Sequence, residues 1–487
     1  MALTGLFLAI ATLAPPLASP EDLDEVLVQH AGRRKPLEAF SREILWKTVG
    51  KQTWNQQPPT GTLLSLCFDP AWKQEKVLKA GHPDLAKALG GKRVSLDDLG
   101  SGAFETLWRA ANRKAPSPLE RAVLDLERRA DLMTSVLSEL RVLPDPKDPQ
   151  APWIGMGDPR ASAASPKAYN AFVEMESSWR KGNRPAFEAA SRDWAAALKA
   201  VAPADYSALE GPARLELAYH RLQPFRWSCL GYFVAFLLYL AAWVTRKPGP
   251  GRWALGFLTA SFLLHGAGIA VRVAVAGRPP VSNMFEVILY VSWAVVAAAF
   301  VFQAVMKTGV AGLPAAGMAC LGLLSPALFP FLEGTLNQPM PLDPAIGQVQ
   351  AVLKSNYWLT VHVCTITTSY AILFLGSALG VTYLLSPRPE LDRVAWKVNQ
   401  LGFLFLTAGV LTGAWWANAS WGRYWGWDPK ETGAFIAWCV YGAYLHLRRF
   451  GFLQAKGSAW MSVLGFLAIL FTMIGVSYFL PGLHSYA

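Results

Sequence analysis

Long apolar runs dominate the chain after residue 226, whereas apolar and polar positions alternate with helical spacing before it. The apolar runs are about 18 residues or longer, which is the length that an α-helix needs to cross the hydrocarbon core of a bilayer. The pattern predicts eight spans, at about 227–244, 253–275, 284–306, 309–331, 357–385, 399–417, 432–449 and 459–480. We therefore expect an all-α fold in which residues 227–487 form a polytopic membrane bundle of about eight transmembrane helices.

Residues 20–226 have the pattern of a helical domain outside the membrane. The segment Ser117-Pro118-Leu119-Glu120 is a typical helix start, because serine caps the helix, proline suits its first position and glutamate its third. Apolar residues then recur at spacings of four and three as far as Leu140, which predicts one amphipathic helix. A Pro-rich linker is expected at 143–167, after which the helical pattern resumes.

The histidines of this first domain indicate no catalytic constellation. His30, His82 and His220 are scattered among charged residues, and we expect all three at the surface.

The N-terminus and the loop charges together predict the topology. Residues 1–19 resemble a secretory signal, since a short apolar run precedes small residues, and a cleaved signal is favoured over a retained anchor. With residues 20–226 exported, the inner loops contain ten Lys and Arg residues against five in the outer segments. We expect a multi-pass protein of the bacterial cytoplasmic (inner) membrane, with the first domain, residues 415–431 and the C-terminus on the periplasmic side.

Charge divides the chain at the same place as hydropathy. Residues 1–226 contain 57 charged side chains, whereas residues 227–487 contain only 22. The five cysteines form no CxxC pair, and the chain has no CxxCH haem-attachment motif. These features exclude a purely soluble protein, a disordered chain, a disulfide-rich domain and a c-type cytochrome. The net charge of +11 follows the membrane-flanking loops and indicates topology rather than binding of nucleic acid.

Five tryptophans crowd the segment between the sixth and seventh spans. An interfacial aromatic belt normally places one or two tryptophans at a span end, so five in thirteen positions favour a platform for a large planar ligand. The belt remains the alternative. The predicted platform consists of Trp415, Trp416, Trp421, Trp425 and Trp427.

The tryptophans run directly into a predicted helix start. Asp428 as N-cap, Pro429 at the first position and Glu431 at the third are typical of the beginning of the seventh span. Capping is compatible with a second role at the ligand, so Asp428 is also counted with the platform. The segment Asn283-Met284-Phe285-Glu286 repeats the pattern at the third span.

Four histidines of the membrane half are candidate ligands. The topology places His362 and His484 on the outer side, at the level of the tryptophans, where two imidazoles suggest axial ligation of a haem iron. His446 and His265 lie inside spans, where ionisable residues are functional candidates. The helical rise separates their heights by roughly 9 Å. That separation leaves two alternatives, a direct pair and a partner on another chain.

Four ordered motifs resemble the CcsA/ResC family of cytochrome c biogenesis system II, within the haem-handling WWD superfamily. They are RPPVSNMFEVILYVSW from Arg278, HVCTITTSY from His362, WGRYWGWDPKE from Trp421 and GLHSY from Gly482. Phe285 stands where that family usually has tyrosine. The resemblance covers about residues 227–487, and residues 180–226 only weakly resemble the end of a ResB-type external domain.

The resemblance implies haem transfer to the outer face and attachment of haem to apocytochrome c. Haem b is then both substrate and bound ligand, with its iron held through His362 and His484 and a second haem site at His446 in the membrane. His265 is the substitute candidate for the missing partner of His446. Implied partners are a ResB/CcsB-like membrane subunit, apocytochrome c and the thiol-reducing proteins that keep its CxxCH motif reduced. Propionates could pair with Arg423, Lys430, Arg278 or Arg272.

Activity itself stays open at this point. The chain is expected to form part of a cytochrome c synthase complex, but no residue is assigned as catalytic. A haem carrier without synthase activity is one alternative, and a secondary transporter with a Trp-lined gate is another.

Overall fold

The computed structural model describes residues 21–55, 57–111, 113–114, 116–148, 150–203, 206–336, 342–347, 356–480 and 482–483. The chain divides after Arg221 into two compact units. We call them the N-terminal unit (residues 21–221) and the C-terminal unit (residues 222–483). The signal-like segment 1–19 and the candidate ligand His484 lie outside the described residues.

Short helices make up most of the N-terminal unit. They are α1 (Glu21–Asp24), α2 (Leu37–Val49), α3 (Pro59–Phe68), α4 (Pro83–Ala88), α5 (Leu96–Leu99), α6 (Gly102–Ala110), α7 (Pro118–Thr134), α8 (Val136–Glu139), α9 (Ala161–Ala164), α10 (Pro166–Arg180), α11 (Arg184–Ala200) and α12 (Tyr206–Leu222), with a 3-10 turn at Pro70–Lys73. The predicted start of α7 is confirmed, because Ser117 and Glu120 form a reciprocal capping box. The predicted single helix is wrong at its end, since α7 stops at Thr134 and α8 is separate.

The described residues also form three small antiparallel sheets that the helical pattern did not predict. They pair β1 (Leu27–His30) with β2 (Arg33–Pro36), β3 (Leu78–Lys79) with β4 (Arg93–Val94), and β5 (Arg141–Leu143) with β6 (Ile154–Gly155). The first is a tight hairpin, because Ala31 and Gly32 both have positive φ.

Part of the linker expected at 143–167 lies in the core instead. Trp153 and Met156 are each 4% exposed, and β6 lies in this segment. A Cβ at Gly155 would lie 2.1 Å from the carbonyl oxygen of Ser138, so the chain here passes directly against α8. Proline richness marked an irregular backbone, but that backbone is packed.

The prediction that the histidines of this unit lie at the surface is wrong for His30. It is 8% exposed, and its Nδ1 lies 3.2 Å from Glu139 Oε2. The Nδ1 of His220 lies 2.7 Å from Glu38 Oε2, so this ring too is engaged in the unit. His82 caps α4 by accepting a hydrogen bond from the backbone N–H of Asp84.

Long apolar helices make up the C-terminal unit. They are α13 (Pro224–Thr245), α14 (Pro248–Ala276), α15 (Met284–Met306), α16 (Gly312–Leu336), α17 (Asn356–Leu385), α18 (Pro389–Trp421), α19 (Pro429–Arg449), α20 (Ala455–Leu470) and α21 (Val476–Phe479), with a π-helical turn at Phe471–Gly475 between the last two. Among the described residues, seven helical segments are long and apolar enough to cross a membrane. The predicted all-α polytopic bundle is confirmed.

Helix α19 is the predicted span that does not meet this criterion of length and composition. It has 21 residues, but its last turn carries His446, Arg448 and Arg449, and its first turn carries Glu431. Its start is as predicted, because Asp428 and Glu431 form a capping box.

The most enclosed span is α17. Of the 18 consecutive residues with the highest hydropathy in each helix, 72% are buried inside the protein in α17, against 28% in α14. It packs along α18 and also contacts α15 and α20. Most side chains in the middle of α17 therefore face protein, whereas Tyr357 and Leu385 near its two ends are exposed.

Candidate functional site

A cavity of about 190 Å³ lies at one end of this helix packing. Its walls come from α15, α17, α18, the start of α19, the loop between α18 and α19, and the π-helical turn. The lining is mainly apolar, with polar groups at a few positions: Ser282, Asn283, His362, Thr367, Tyr370, Lys430, Glu431 and Thr472. A mainly apolar cavity with few polar groups is typical of a site for an organic ligand.

His362 lies in the wall of this cavity, on α17. Its Nδ1 lies 3.0 Å from the carbonyl oxygen of Gly409 on α18. A carbonyl can only accept, so Nδ1 carries the proton, and in the neutral ring Nε2 carries the lone pair. Such a bond from the other ring nitrogen is how metal-binding histidines are usually oriented.

Four of the tryptophans predicted as a platform make aromatic contacts in two pairs. Trp416 is 2% exposed and stacks on His362, with ring centroids 5.8 Å apart and 16° between the planes. Trp421 meets Trp416 edge to face at 4.9 Å. Trp425 and Trp427 are also edge to face, at 5.8 Å. Of these four, Trp416 and Trp425 line the cavity.

The first part of the segment 415–431 is helical. Helix α18 extends through Trp421, and only the residues from Gly422 to Asp428 connect it to α19. Trp415 is therefore helical and half-exposed, and it stacks on Trp358 rather than lining the cavity. Two residues missed by the Trp-centred prediction, Tyr424 and Tyr370, contribute to the lining.

Glu431 holds the connecting loop in place. Its carboxylate accepts hydrogen bonds from the backbone N–H groups of Gly426, at 2.7 Å, and Asp428, at 3.2 Å. The same carboxylate is ion-paired with Arg423 at 3.2 Å. A Cβ at Gly426 would lie 1.9 Å from the Arg423 guanidinium, so a side chain there would displace Arg423 from its present position. One side chain thus fixes the loop that brings Tyr424 and Trp425 to the cavity.

Asp428 contacts the C-terminal segment as well as its own helix. Its Oδ1 accepts from the backbone N–H of Lys430 at 3.1 Å, and its Oδ2 accepts from that of Leu483 at 2.7 Å. Leu483 directly precedes His484 in the chain.

The four candidate partners of propionates have different surroundings. Lys430 lines the cavity. Arg272 and Arg278 are instead paired with the buried Glu286, at 3.0 Å and 2.8 Å, and they also donate to backbone carbonyls of 344–347. Arg423 is paired with Glu431, as described above. A buried carboxylate requires such cations, which explains why arginines near the predicted outer end are not all directed at the cavity.

The π-helical turn is a feature that no local sequence signal predicted. It directs Thr472 and Met473 to the cavity wall. Thr472 lies against α19, where a Cβ at Gly433 would come within 2.6 Å of its hydroxyl oxygen. Such single widened turns are common at functional sites.

The two histidines inside spans are not brought together. His265 is fully buried, with Nδ1 3.3 Å from the hydroxyl of Tyr232 and its ring against Phe225, both on α13. His446 is exposed on α19, and its Nδ1 lies 3.0 Å from the carbonyl oxygen of Gly442, one turn earlier. A buried ring enclosed by α13 cannot pair with a ring on the outside of α19, so His265 does not replace the missing partner.

Among the described residues, no group of three or more His, Cys, Asp or Glu side chains could hold a metal ion. A single oriented imidazole beside an aromatic face, in an apolar cavity, can instead bind a metal that is already held in a planar macrocycle.

This chain is similar in sequence to proteins of cytochrome c assembly. Residues 281–484 match the family described as "Cytochrome C assembly protein". The chain is 28% identical to Protein NrfI of Wolinella succinogenes over 513 residues, covering 95% of this chain but 54% of NrfI. It is 32% identical to the cytochrome c biogenesis protein CcsA of a Synechococcus species over 300 residues, 52% of this chain and 94% of that protein. The CcsA of Prochlorococcus marinus is 34% identical over 252 residues, 43% of this chain and 76% of that protein.

Proposed function

The chain belongs to the CcsA family of cytochrome c biogenesis proteins, and we propose that it binds haem in the cavity beside His362 and presents it for covalent attachment to apocytochrome c. The observation that carries this proposal is the pair of contacts that orient the imidazole. The ring is held by the carbonyl of Gly409 on one side and by the face of Trp416 on the other. Both contacts leave Nε2 as the basic nitrogen of the neutral ring.

The cavity suits the chemistry of haem in three respects. Apolar walls match the macrocycle, Trp416 and Trp425 offer aromatic surface, and Lys430 offers a cation for a propionate. The iron would bind to Nε2 of His362. When bound, the haem itself supplies the vinyl groups that react with thiols, and the protein supplies orientation and exclusion of water.

The second axial ligand in this proposal is His484. The support is the bond between Asp428 and Leu483, which fixes the preceding residue of the chain at the start of α19. Bis-histidine ligation keeps the iron saturated while haem waits for its acceptor.

The thiols of the product must come from the apocytochrome. Of the five cysteines, Cys67 lies in the N-terminal unit, and burial raises the pKa of its thiol to about 12, so it is not a reactive thiolate. The other four lie within the long apolar helices of the C-terminal unit. Thiol-reducing proteins that keep the CxxCH motif reduced therefore belong to the proposed system.

His446 is proposed to bind haem within the membrane together with a ligand from a separate ResB/CcsB-like subunit. Its exposed position on α19 supports this assignment, because the ring is accessible to a side chain of another subunit. The proposed location is the bacterial inner membrane, with the N-terminal unit, the loop after α18 and the C-terminus on the periplasmic side.

Reconstitution tests the synthase activity separately from haem binding. The purified protein, loaded with haem and mixed with a reduced apocytochrome, is expected to form a product whose haem stays attached after denaturation. If the haem remains extractable although the protein binds it, the protein is a carrier and the proposed synthase activity is wrong.

A further inference from the structure

The two oxygens of the Asp428 carboxylate are engaged by two different parts of the chain. One accepts from the N–H of Lys430 inside α19, and the other from the N–H of Leu483 near the C-terminus. We propose that Asp428 is a positioning residue, a latch that holds Gly482 and Leu483 on the start of α19 and thereby positions His484. This inference rests on the proposed role of His484 as a ligand.

Helix capping alone does not explain a buried aspartate here. Four other long helices of this unit, α13, α14, α18 and α20, begin without a side-chain cap. Asp428 is 6% exposed, and burying a carboxylate is costly unless hydrogen bonds offset the loss of water. Serine or threonine would cap equally well at a lower desolvation cost, but each has a single oxygen. The second carboxylate oxygen gives the N–H of Leu483 an acceptor that a single hydroxyl engaged in capping does not offer.

The C-terminal segment is shaped for the same contact. A Cβ at Gly482 would lie 2.6 Å from Asp428 Oδ2 and 3.0 Å from Pro429 Cδ. Real Cβ atoms do not approach a carboxylate oxygen so closely, so only glycine allows the backbone to reach Asp428. The contact is therefore built from both sides, by an aspartate on α19 and a glycine on the C-terminal segment.

The capping box of α19 connects the contact between Asp428 and Leu483 to the loop between α18 and α19. Glu431 accepts from the N–H of Asp428 and also binds Gly426 and Arg423. The loop that carries Trp425 and the segment that precedes His484 are consequently held at one helix start.

Three variants separate latching from capping. Asp428→Ser keeps a good N-cap and removes the acceptor for Leu483. Gly482→Ala leaves Asp428 intact and pushes the segment away from it. Asp428→Ala removes both the cap and the acceptor for Leu483, and it shows the effect of losing both.

Hydrogen exchange is measured in the full-length protein on the C-terminal peptide and on the first turn of α19. Haem retained on purification is measured with and without added imidazole.

Both Asp428→Ser and Gly482→Ala are expected to speed exchange at Leu483 by about tenfold or more, the effect of losing one charge-assisted hydrogen bond. The first turn of α19 should stay protected in both and lose protection in Asp428→Ala. Haem should fall in all three and return with imidazole, which replaces a displaced axial ligand but not a lost structural element.

If the exchange rate at Leu483 is unchanged in both Asp428→Ser and Gly482→Ala, the proposed latch is wrong. Faster exchange with full haem retention would overturn the positioning role, while haem binding at His362 would stand. If wild-type protein retains no haem at all, the proposed function fails, and with it the role of the contact in ligation. The exchange data would then still decide whether Asp428 holds the segment.

Discussion

The Nδ1 atom of His362 lies 3.0 Å from the carbonyl oxygen of Gly409, on the helix packed alongside. One turn further along the same helix, Gly413 leaves space for the other edge of the ring, because a Cβ there would lie 2.7 Å from His362 Cε1. Two glycines four residues apart thus let α18 approach α17 closely and hold the imidazole in one orientation.

Gly413→Ala is expected to weaken haem binding without unfolding the bundle. The added methyl group displaces the His362 ring, and forcing the ring back to the ligating position against this overpacking costs about 1–3 kcal/mol, or about 5- to 150-fold in affinity. Haem titration of purified protein measures the change. Gly256→Ala is the control, since nothing lies within 4 Å of its Cβ. Equal affinity of both variants would show that the ring orientation is unimportant.

Trp425→Ala is expected to leave the protein folded and to lower haem affinity about 2- to 10-fold, because one aromatic contact with the macrocycle is lost. Trp460→Ala is the matched control, since Trp460 is exposed on α20 outside the cavity. Protein yield and haem per chain are measured for both. A stable Trp425→Ala protein with full haem content would support the interfacial belt instead of the platform.

His265 and His446 should respond differently to alanine substitution. His265→Ala is expected to cost about 1–3 kcal/mol of stability, because it empties a buried site beside Tyr232. Haem content should not change. His446→Ala should keep its stability and lose the haem that is retained together with a ResB-like partner. Thermal unfolding and haem content of the two variants, purified with that partner, make the comparison. Loss of haem from stable His265→Ala protein would contradict the structural role.

The N-terminal unit should lose stability as pH falls. Burial would raise the pKa of Glu43, but the ammonium groups of Lys35 and Lys47 outweigh it and lower the pKa to about 2 from its ordinary value of 4.5. A carboxyl whose pKa is lower in the folded state stabilises the fold above its unfolded pKa. The contribution, on the order of 3 kcal/mol, is lost as pH falls from about 4.5 to about 2. Burial also lowers the pKa of His30, which acts in the same direction below its ordinary value of 6.5.

Hydrogen-exchange protection of 27–49, corrected for intrinsic rates, measures this dependence on pH. Protection should fall between pH 5 and pH 2.5 in the wild-type protein. Glu43→Gln should be less stable at pH 5 and lose less protection between these two values, because His30 and Glu38 still titrate in it. A wild-type profile no steeper than that of the variant would contradict the account.

Helix starts were predictable from the sequence because their determinants are local. Ser117 with Glu120 and Asp428 with Glu431 form the capping boxes that their spacing predicted. The helical, apolar character of the membrane segments followed from hydropathy for the same reason, but their number did not, because seven helical segments of the described residues are long and apolar enough to cross a membrane against the eight predicted.

Relationships between elements were not predictable in this way. Spacing along a helix gives the height of His265 and His446 but not the direction in which each ring points, so only the packing on α13 separated them. The burial of His30 depends on Glu139, which lies 109 residues away in sequence. The latch between Asp428 and Leu483 likewise joins residues 55 positions apart.

The absorption spectrum of haem-loaded His362→Ala tests the central claim most directly. It is recorded in a His446→Ala background, so that haem held at the proposed membrane site does not contribute. The parent protein is expected to show low-spin iron with two nitrogen ligands, and His362→Ala should lose that spectrum and regain it with imidazole. A His362→Ala protein that keeps the low-spin spectrum and full haem content without imidazole would contradict ligation by His362.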